Sequence, residues 1–149
     1  DVKIARIFNT YGPRMSTNDG RVVSNFIVQA IRNKKITIYG DGNQTRSFCY
    51  VDDLINGLMS LMESNLNCPI NLGNNSEIKI IELAELIKNK INKDLEFSYQ
   101  LLPENDPSRR NPSISLAKKE LNWEATTSLD IGLNKTIEYF ENELKLEKI

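Results

Sequence analysis

The residues best suited to chemistry in this sequence are arginines that lie close to turns. Arg46 follows a segment rich in Gly, Asp and Asn (residues 40–43), and Tyr39 directly precedes that segment. A guanidinium group pairs bidentately with phosphate oxygens, and an aromatic ring beside it suits a flat base. The pair therefore indicates a phosphate-bearing ligand with a heterocyclic base. The alternative is a surface arginine and a half-buried tyrosine that bind nothing.

Arg21 stands at the start of a predicted helix, where a cation is unusual. Apolar residues at helical spacing follow it and predict a helix that ends at Asn33. Because the helix dipole disfavours positive charge at this end, Arg21 indicates an anionic partner. The alternative is a solvated arginine without a role.

Composition excludes several kinds of site. The 149 residues are 40% hydrophobic and 26% charged with a net charge of -1, which is typical of a soluble globular domain and predicts no nucleic-acid or membrane partner. The sequence has no histidine, the commonest metal ligand and general base. Cys49 and Cys68 lack metal-site spacing and are expected to be free thiols. No apolar run approaches the ~20 residues of a membrane span. We expect a cytoplasmic location, with a Golgi membrane anchor upstream of residue 1 as the alternative.

The stretch around Tyr39 and Arg46 predicts its own supporting elements. Two β-prone runs, Ile36–Tyr39 and residues 47–51, flank the Gly-rich segment, which predicts a chain reversal between them. Asp52 or Asp53 is then expected to cap a helix, because apolar residues at helical spacing follow.

The chain begins with a strand pattern. Residues 2–8 are mostly apolar, as in a parallel strand covered on both faces, and Gly12-Pro13 ends the segment with a turn. Open α/β sheets bind ligands at this carboxyl end of a strand. Parallel neighbours would need upstream residues, so we expect the chain to be the C-terminal piece of a longer α/β protein.

The remaining sequence alternates between strand and helix patterns. We predict a strand at 68–72, a helix at 80–91, a strand at 95–101, a loop at 103–112, a short helix capped by Ser113 or Ser115, and a final helix from Asp130. The helices at 80–91 and 131–144 are expected to pack around the two strands, with Trp123 buried among them.

Taken together, these motifs resemble the C-terminal half of the UDP-glucuronate decarboxylases (UDP-xylose synthases), in the extended short-chain dehydrogenase/reductase family. The segments that carry the resemblance are residues 6–14, 18–26, 39–42, 44–46, 50–54, 71–74, 106–112, 121–123 and 132–133. Tyr-Gly-Asp-Gly and Tyr-Val-Asp-Asp are shared with epimerases and dehydratases of the superfamily. Asn-Asp-Gly-Arg-Val-Val-Ser-Asn-Phe (residues 18–26) is more specific to the decarboxylases.

The resemblance implies a fold and a cofactor. Residues 1–33 would hold the last strand of a doubly wound Rossmann-type parallel sheet and the connection from it. Residues 34–149 would form a small α/β region that binds the nucleotide sugar. The cofactor would be NAD, the substrate a UDP-sugar, and the complete enzyme a homodimer.

The resemblance also implies site roles. Arg46 would bind the pyrophosphate, with Arg110, or Arg109 beside it, as a second cation, and Tyr39 would lie by the uracil. The positions lining the NAD end would be Thr10, Ser16 and Arg21. Arg21 would lie near the reacting carboxylate; because an arginine is a poor acid, we expect it to position the carboxylate or enolate electrostatically while water delivers the proton.

The implied reaction oxidises C4 of the glucuronate, loses carbon dioxide from the β-keto acid and returns the hydride to give UDP-xylose. The sequence lacks both the Gly-x-x-Gly-x-x-Gly motif for NAD and the Tyr-x-x-x-Lys pair. We therefore expect this chain alone to be inactive. Two other hypotheses stay open, a nucleotide-sugar 4,6-dehydratase or 4-epimerase and a non-catalytic nucleotide-sugar-binding module.

Overall fold

The computed structural model describes residues 2–104 and 109–146, which form an α/β structure built mainly on parallel strand pairs. The strands are β1 Ala5–Ile7, β2 Thr10–Tyr11, β3 Ile36–Tyr39, β4 Thr45–Ser47, β5 Cys49–Tyr50, β6 Ile70–Leu72, β7 Glu77–Lys79, β8 Phe97–Gln100 and β9 Arg109–Arg110. The helices are α1 Val22–Ile31, α2 Val51–Glu63, α3 Ile80–Ile91, α4 Ser115–Leu121 and α5 Leu129–Leu146.

Three of the sheets are two-stranded parallel pairs that join distant parts of the chain. β1 pairs with β6, β2 with β5, and β3 with β8. The predicted strands at 68–72 and 95–101 are thus present as β6 and β8. The predicted division into residues 1–33 and 34–149 stays a prediction; β1 and β6 pair across it.

The fourth sheet has three strands in the order β7-β4-β9, with β7 antiparallel and β9 parallel to β4. The sequence patterns missed β7 and β9, because each is only two or three residues long and polar. β9 lies in the segment interpreted as a loop. The Asp106-Pro107 part of that segment lies outside the described residues.

Local corrections concern the turn and the helix caps. β3 and β4 do not pair with each other; the Gly-rich segment instead carries the chain from one sheet to another. The N-cap of α2 is Tyr50 rather than Asp52 or Asp53, and that of α4 is Ile114 rather than a serine. The two aspartates lie in the first turn of α2, where negative charge still stabilises the helix.

Two hydrophobic cores support the sheets. The larger core joins α1, α3 and α5 around β3. The smaller joins α2, α4 and β6 around Trp123, whose exposed fraction is 6%. The burial of Trp123 is confirmed, but its predicted place among α3 and α5 is wrong. Its indole nitrogen donates to the carbonyl oxygen of Asp53 at 2.9 Å, which fixes it against α2.

The strand at the start of the chain is shorter than predicted and leaves apolar side chains exposed. Val2, Ile4 and Ile7 are all exposed, and Ile7 lies within β1 with an exposed fraction of 55%. A strand made for a sheet covered on both faces would present such residues wherever a neighbour is lacking.

Gly57 of α2 tests the packing of the smaller core. A Cβ atom at this position would lie 2.7 Å from Cε2 of Trp123. Helix propensity alone would make Gly57→Ala stabilising by up to about 1 kcal/mol. Because overpacking costs about 1–3 kcal/mol, we predict net destabilisation, measured by urea unfolding followed through Trp123 fluorescence.

The exposed Asn56→Ala substitution in the same helix is the matched control, and helix propensity should make it stabilising by up to about 0.7 kcal/mol. A stabilised Gly57→Ala variant would contradict the described contact between α2 and Trp123.

Glu77 gives the fold a specific pH dependence. Hydrogen bonds from Arg109 and then Thr45 lower the pKa of its carboxyl from 4.5 to about 2. Since the folded-state pKa is the lower one, the ionised carboxylate stabilises the fold above about pH 4.5, and this contribution is lost as the pH falls from 4.5 towards 2.

We therefore predict that Glu77→Gln lowers the Tm at neutral pH and that the difference from the native chain shrinks below about pH 4.5. Thermal unfolding at a series of pH values measures it. Glu124→Gln, which removes an exposed pair with Lys118, is the control and should change the Tm little at any pH. A Glu77→Gln deficit that stays constant down to pH 2 would be evidence against the lowered pKa.

Candidate functional site

A cleft of about 570 Å³ brings together four of the predicted site residues, Thr10, Arg21, Arg46 and Arg110. They come from β2, the start of α1, β4 and β9, so four separate segments meet there. The volume is within the range of small-molecule sites. The other lining residues are Ile7, Phe8, Asn9, Met15, Gly20, Val22, Val23 and Phe48.

The two central cations lie side by side on neighbouring strands. Arg46 of β4 is in register with Arg110 of β9, and side chains in register project from the same face of a sheet. Arg46 has an exposed fraction of only 7%, and its Nη1 donates to the carbonyl oxygen of Thr45 at 2.8 Å. Two neighbouring guanidinium groups repel each other, so this face of the sheet is suited to a ligand with several negative charges.

A second, smaller pocket of about 210 Å³ adjoins the cleft. Gly20, Val22 and Arg46 line both cavities, and Tyr39 lines the smaller one. Arg46 therefore stands where the two spaces meet. Tyr39 and Arg46 thus line the same pocket, as expected for a base and a phosphate bound side by side. Their roles in binding stay predictions.

One wall of the smaller pocket is held rigid by a side-chain clamp. The backbone N–H of Thr37 donates to Oε1 of Gln29 at 2.9 Å, and Nε2 of Gln29 donates to Oγ1 of Thr37 at 3.2 Å. Gln44 donates to the carbonyl oxygen of Tyr39 at 2.8 Å. These bonds fix β3 relative to α1 and leave the aromatic ring of Tyr39 half exposed beside the pocket.

Arg21 is the N-cap of α1, and Asp19 compensates for its charge. The backbone N–H of Arg21 donates to Oδ1 of Asp19 at 2.9 Å, and Nε of Arg21 lies 3.8 Å from Oδ2 of the same carboxylate. Ser24 also donates to Asp19. The Arg21 side chain is 67% exposed, so its guanidinium can reach an anion in the cleft, while the negative charge of Asp19 lies at the helix start, where the dipole favours it.

Thr10 and Tyr11 show how β2 divides its side chains between ligand and core. Thr10 lines the cleft, and its hydroxyl donates to the carbonyl oxygen of Phe8 at 2.8 Å. Tyr11 is buried, packs edge-on against Phe48 and Tyr50, and has its pKa raised by that burial. Tyr11 therefore supports the wall of the cleft from behind, and its raised pKa keeps the hydroxyl protonated at neutral pH.

Two predicted site residues lie outside the linings of both cavities. Ser16 shapes its loop, because its hydroxyl accepts from the backbone N–H of Asn18 at 3.2 Å. Arg109 faces the other side of the sheet, where its Nε donates to the two carboxylate oxygens of Glu77 at 2.8 and 3.0 Å. Of the two adjacent arginines, the structure thus turns Arg110 towards the cleft.

Sequence reasoning did not identify several residues that line the cavities. They are Asn9, Met15, Phe48, Asn25, Gln29, Thr37 and Gln44. Phe48 separates β4 from β5, a break that the apolar pattern of residues 47–51 concealed. Gln29 lies among the apolar residues of α1, and a polar residue on a predicted helix carries no signal without its partner.

Other chemistry has little support in the described part of the chain. Residues 2–104 and 109–146 contain no cluster of three or more metal-ligating side chains, and none of their helices is long and apolar enough to cross a bilayer. Burial raises the pKa of the Cys49 thiol to about 12, so this cysteine is inert, and Cys68 is a free exposed thiol as predicted.

Comparison with known proteins gives a consistent assignment. Residues 1–73 match the NAD dependent epimerase/dehydratase family. UDP-glucuronic acid decarboxylase 1 of Xenopus tropicalis is 53% identical over 97% of this chain and 34% of its own length. UDP-glucuronic acid decarboxylase 3 of Arabidopsis thaliana is 49% identical over 99% of this chain and 43% of its own length. The chain thus spans less than half of these curated relatives.

Solved structures with the same fold include UDP-sugar epimerases. UDP-glucose 4-epimerase from Thermotoga maritima with UDP-glucose superposes with a TM-score of 0.90 at 32% identity, over 94% of this chain and 46% of the other. UDP-glucuronic acid 4-epimerase from Bacillus cereus, solved with UDP-glucuronic acid and NAD, gives 0.87 at 29% identity, over 95% and 45%.

The predicted α/β fold class, with strands of a Rossmann-type parallel sheet, is confirmed by the parallel pairings and by these superpositions. The chain is therefore homologous over nearly its whole length to UDP-glucuronic acid decarboxylases, and its residues 1–73 match the NAD dependent epimerase/dehydratase family.

Proposed function

We propose that this chain is the nucleotide-sugar-binding portion of an NAD-dependent UDP-glucuronate decarboxylase, which forms UDP-xylose and carbon dioxide. The observation that carries the proposal is the pair Arg46 and Arg110, in register at a cleft next to the Tyr39 pocket. Identity of about half the residues to named decarboxylases supports this reaction within the family.

The two arginines would bind the diphosphate of the substrate. Charge-assisted bonds from two forks match a group with several acceptor oxygens, and near-burial of Arg46 excludes water that would weaken them. The smaller pocket, entered past Arg46, would hold the uracil beside the ring of Tyr39. The sugar would then extend into the larger cleft towards Arg21 and Thr10.

Arg21 would position the sugar carboxylate. Its exposed guanidinium carries a permanent charge at neutral pH, and the loose 3.8 Å contact with Asp19 leaves donors for a second anion. As carbon dioxide leaves, negative charge moves to the enolate oxygen, and a fixed cation nearby stabilises it. A water molecule would deliver the proton, because arginine does not release one near neutral pH.

The Thr10 end of the cleft fits the nicotinamide part of NAD. The Thr10 hydroxyl already donates to Phe8, so its free lone pairs can accept from a carboxamide, and Ile7 offers an apolar surface to a ring. Bound NAD supplies reversible hydride transfer at C4. The same proposal includes Arg21 and Ser16 as further contacts to NAD. It also includes a domain division between residues 33 and 34, a cytoplasmic location and a homodimeric complete enzyme.

A 4-epimerase is the second candidate, because the solved neighbours carry that activity in their names. Both reactions would use the same diphosphate and base contacts, so the cleft alone does not separate them. Arg21 in the Asn-Asp-Gly-Arg segment and the higher identity to decarboxylases favour loss of the carboxylate.

Product analysis tests the proposal directly. The complete protein that carries this chain is incubated with UDP-glucuronate and NAD, and products are identified by mass spectrometry and by trapping carbon dioxide. We expect a UDP-pentose and one carbon dioxide for each substrate consumed. A product with the mass of the substrate would support the epimerase, and the 149-residue chain alone should give no product.

Arg46 and Arg21 should have different kinetic effects. Arg46→Ala removes a contact that is present in both the ground state and the transition state. It should raise the KM for UDP-glucuronate roughly 10–150-fold, which corresponds to a lost binding free energy of about 1.5–3 kcal/mol. Arg21→Ala removes charge from the reacting group and should mainly lower kcat.

Steady-state kinetics of the complete enzyme measure both effects, with the exposed Lys119→Ala as control. Arg21→Lys should restore less than its charge suggests, because the fork geometry is lost. If both alanine variants change only the KM, Arg21 is a binding residue and its proposed catalytic role is wrong.

A further inference from the structure

The sheet β7-β4-β9 separates two sets of charged side chains. The register puts Arg46 and Arg110 on the face that lines the cleft. Successive residues of a strand project to opposite faces, so Thr45, Glu77 and Arg109 share the reverse face. The reverse face therefore holds the immediate chain neighbours of both cleft arginines.

Glu77 connects all three strands on that reverse face. Its Oε1 accepts from Oγ1 of Thr45 at 2.7 Å and from Nε of Arg109 at 2.8 Å. Its Oε2 accepts from Nε of Arg109 at 3.0 Å and from Nδ2 of Asn111 at 2.9 Å, and Nη2 of Arg109 also donates to it. One carboxylate thus holds the residue before Arg46 and the residues on both sides of Arg110.

β9 depends on such polar contacts for its position. The strand consists of two exposed arginines, so it contributes no apolar side chain to either core. β9 pairs with β4 through its backbone. In addition, the hydroxyl of Ser47 donates to the carbonyl oxygen of Arg110 at 3.3 Å, which is a long hydrogen bond. Like charges on neighbouring strands repel, so contacts on the reverse face help to keep β9 beside β4.

We propose that Glu77 is a positioning residue for nucleotide binding, which holds β9 so that Arg110 stays beside Arg46 and both can bind a diphosphate. This inference rests on the proposed function of the cleft. The low pKa of the Glu77 carboxyl keeps it ionised throughout the physiological pH range, so its hydrogen bonds to Thr45, Arg109 and Asn111 persist there. Glu77 itself lies across the sheet from the ligand and acts through Arg110.

Calorimetric titration of the complete enzyme with UDP tests the inference. Glu77→Gln keeps the size of the side chain and removes its charge, and we expect the Kd for UDP to rise on the order of tenfold, as for neighbours in one ion-pair network. Glu124→Gln, which breaks the exposed pair with Lys118, should leave the Kd unchanged. An unchanged Kd in Glu77→Gln would overturn the inference.

A double-mutant cycle separates positioning from general destabilisation. In an Arg110→Ala background, Glu77→Gln should cause no further loss of UDP affinity, because the group that it positions is gone. In an Arg21→Ala background, Glu77→Gln should weaken UDP binding by its full single-mutant factor. Equal weakening in the Arg110→Ala and native backgrounds would mean that Glu77 does not act through Arg110, and the inference would fail.

Arg109→Gln provides a second route if Glu77→Gln does not fold. It breaks the same ion pair from the other partner and should raise the Kd for UDP similarly; an unchanged Kd would overturn the inference. Arg46→Ala and Arg110→Ala test the cleft itself. If neither weakens UDP binding, the proposed function fails; if both do and Glu77→Gln does not, only the role of Glu77 is wrong.

Discussion

The site depends on holding two positive charges next to each other, one of them nearly buried. Arg46 lies in the middle strand of a three-stranded sheet, and Arg110 is its partner in register. Burial of a cation is costly unless hydrogen bonds or opposite charges compensate. Here the carbonyl oxygen of Thr45 supplies one such bond, and the carboxylate of Glu77 lies just across the sheet.

The same principle explains Arg21. A cation at the start of a helix is unfavourable, yet Asp19 accepts from the backbone N–H of Arg21 and from Ser24, and so puts a negative charge at the helix end. The carboxylate lies at the helix start without enclosing the guanidinium, which stays largely exposed. At both places a carboxylate that does not line the cleft holds the segment that carries an arginine of the cleft.

The sequence predicted long, strongly periodic elements well. The helices α1, α3 and α5 and the strands β3, β6 and β8 lie close to their expected positions, because apolar spacing records which face is buried. Short polar strands such as β7 and β9 have no apolar spacing that would predict them. They exist because β4 offers unpaired backbone groups on both edges, a tertiary fact that local sequence does not contain.

The candidate site residues also fall into those that the local sequence could identify and those that needed the tertiary structure. Arg46 and Arg21 could be singled out from their positions at a turn and at a helix start, whereas Thr10 and Arg110 came only from the family resemblance; the structure brings all four to one cleft. The choice between Arg109 and Arg110 needed the strand register, because two adjacent residues of one type are equivalent until the chain is paired. Gln29 needed the same information, since its role depends on Thr37 of another element.

Similarity of fold and similarity of sequence carry different information about this protein. The superposed epimerases share the scaffold at 29–32% identity, whereas the named decarboxylases share about half of the residues. Contacts to a diphosphate and a base stabilise ground and transition states alike, so they suit any UDP-sugar enzyme and leave the reaction undetermined.

Discrimination between one reaction and another must come from groups whose interaction with the sugar changes as the sugar reacts. Arg21 is the cation of the cleft that stands apart from the Arg46–Arg110 pair, on a segment held by Asp19 rather than by Glu77. Under the proposed function, the two carboxylates would support two separable tasks, binding through β4 and β9 and reaction chemistry through the start of α1.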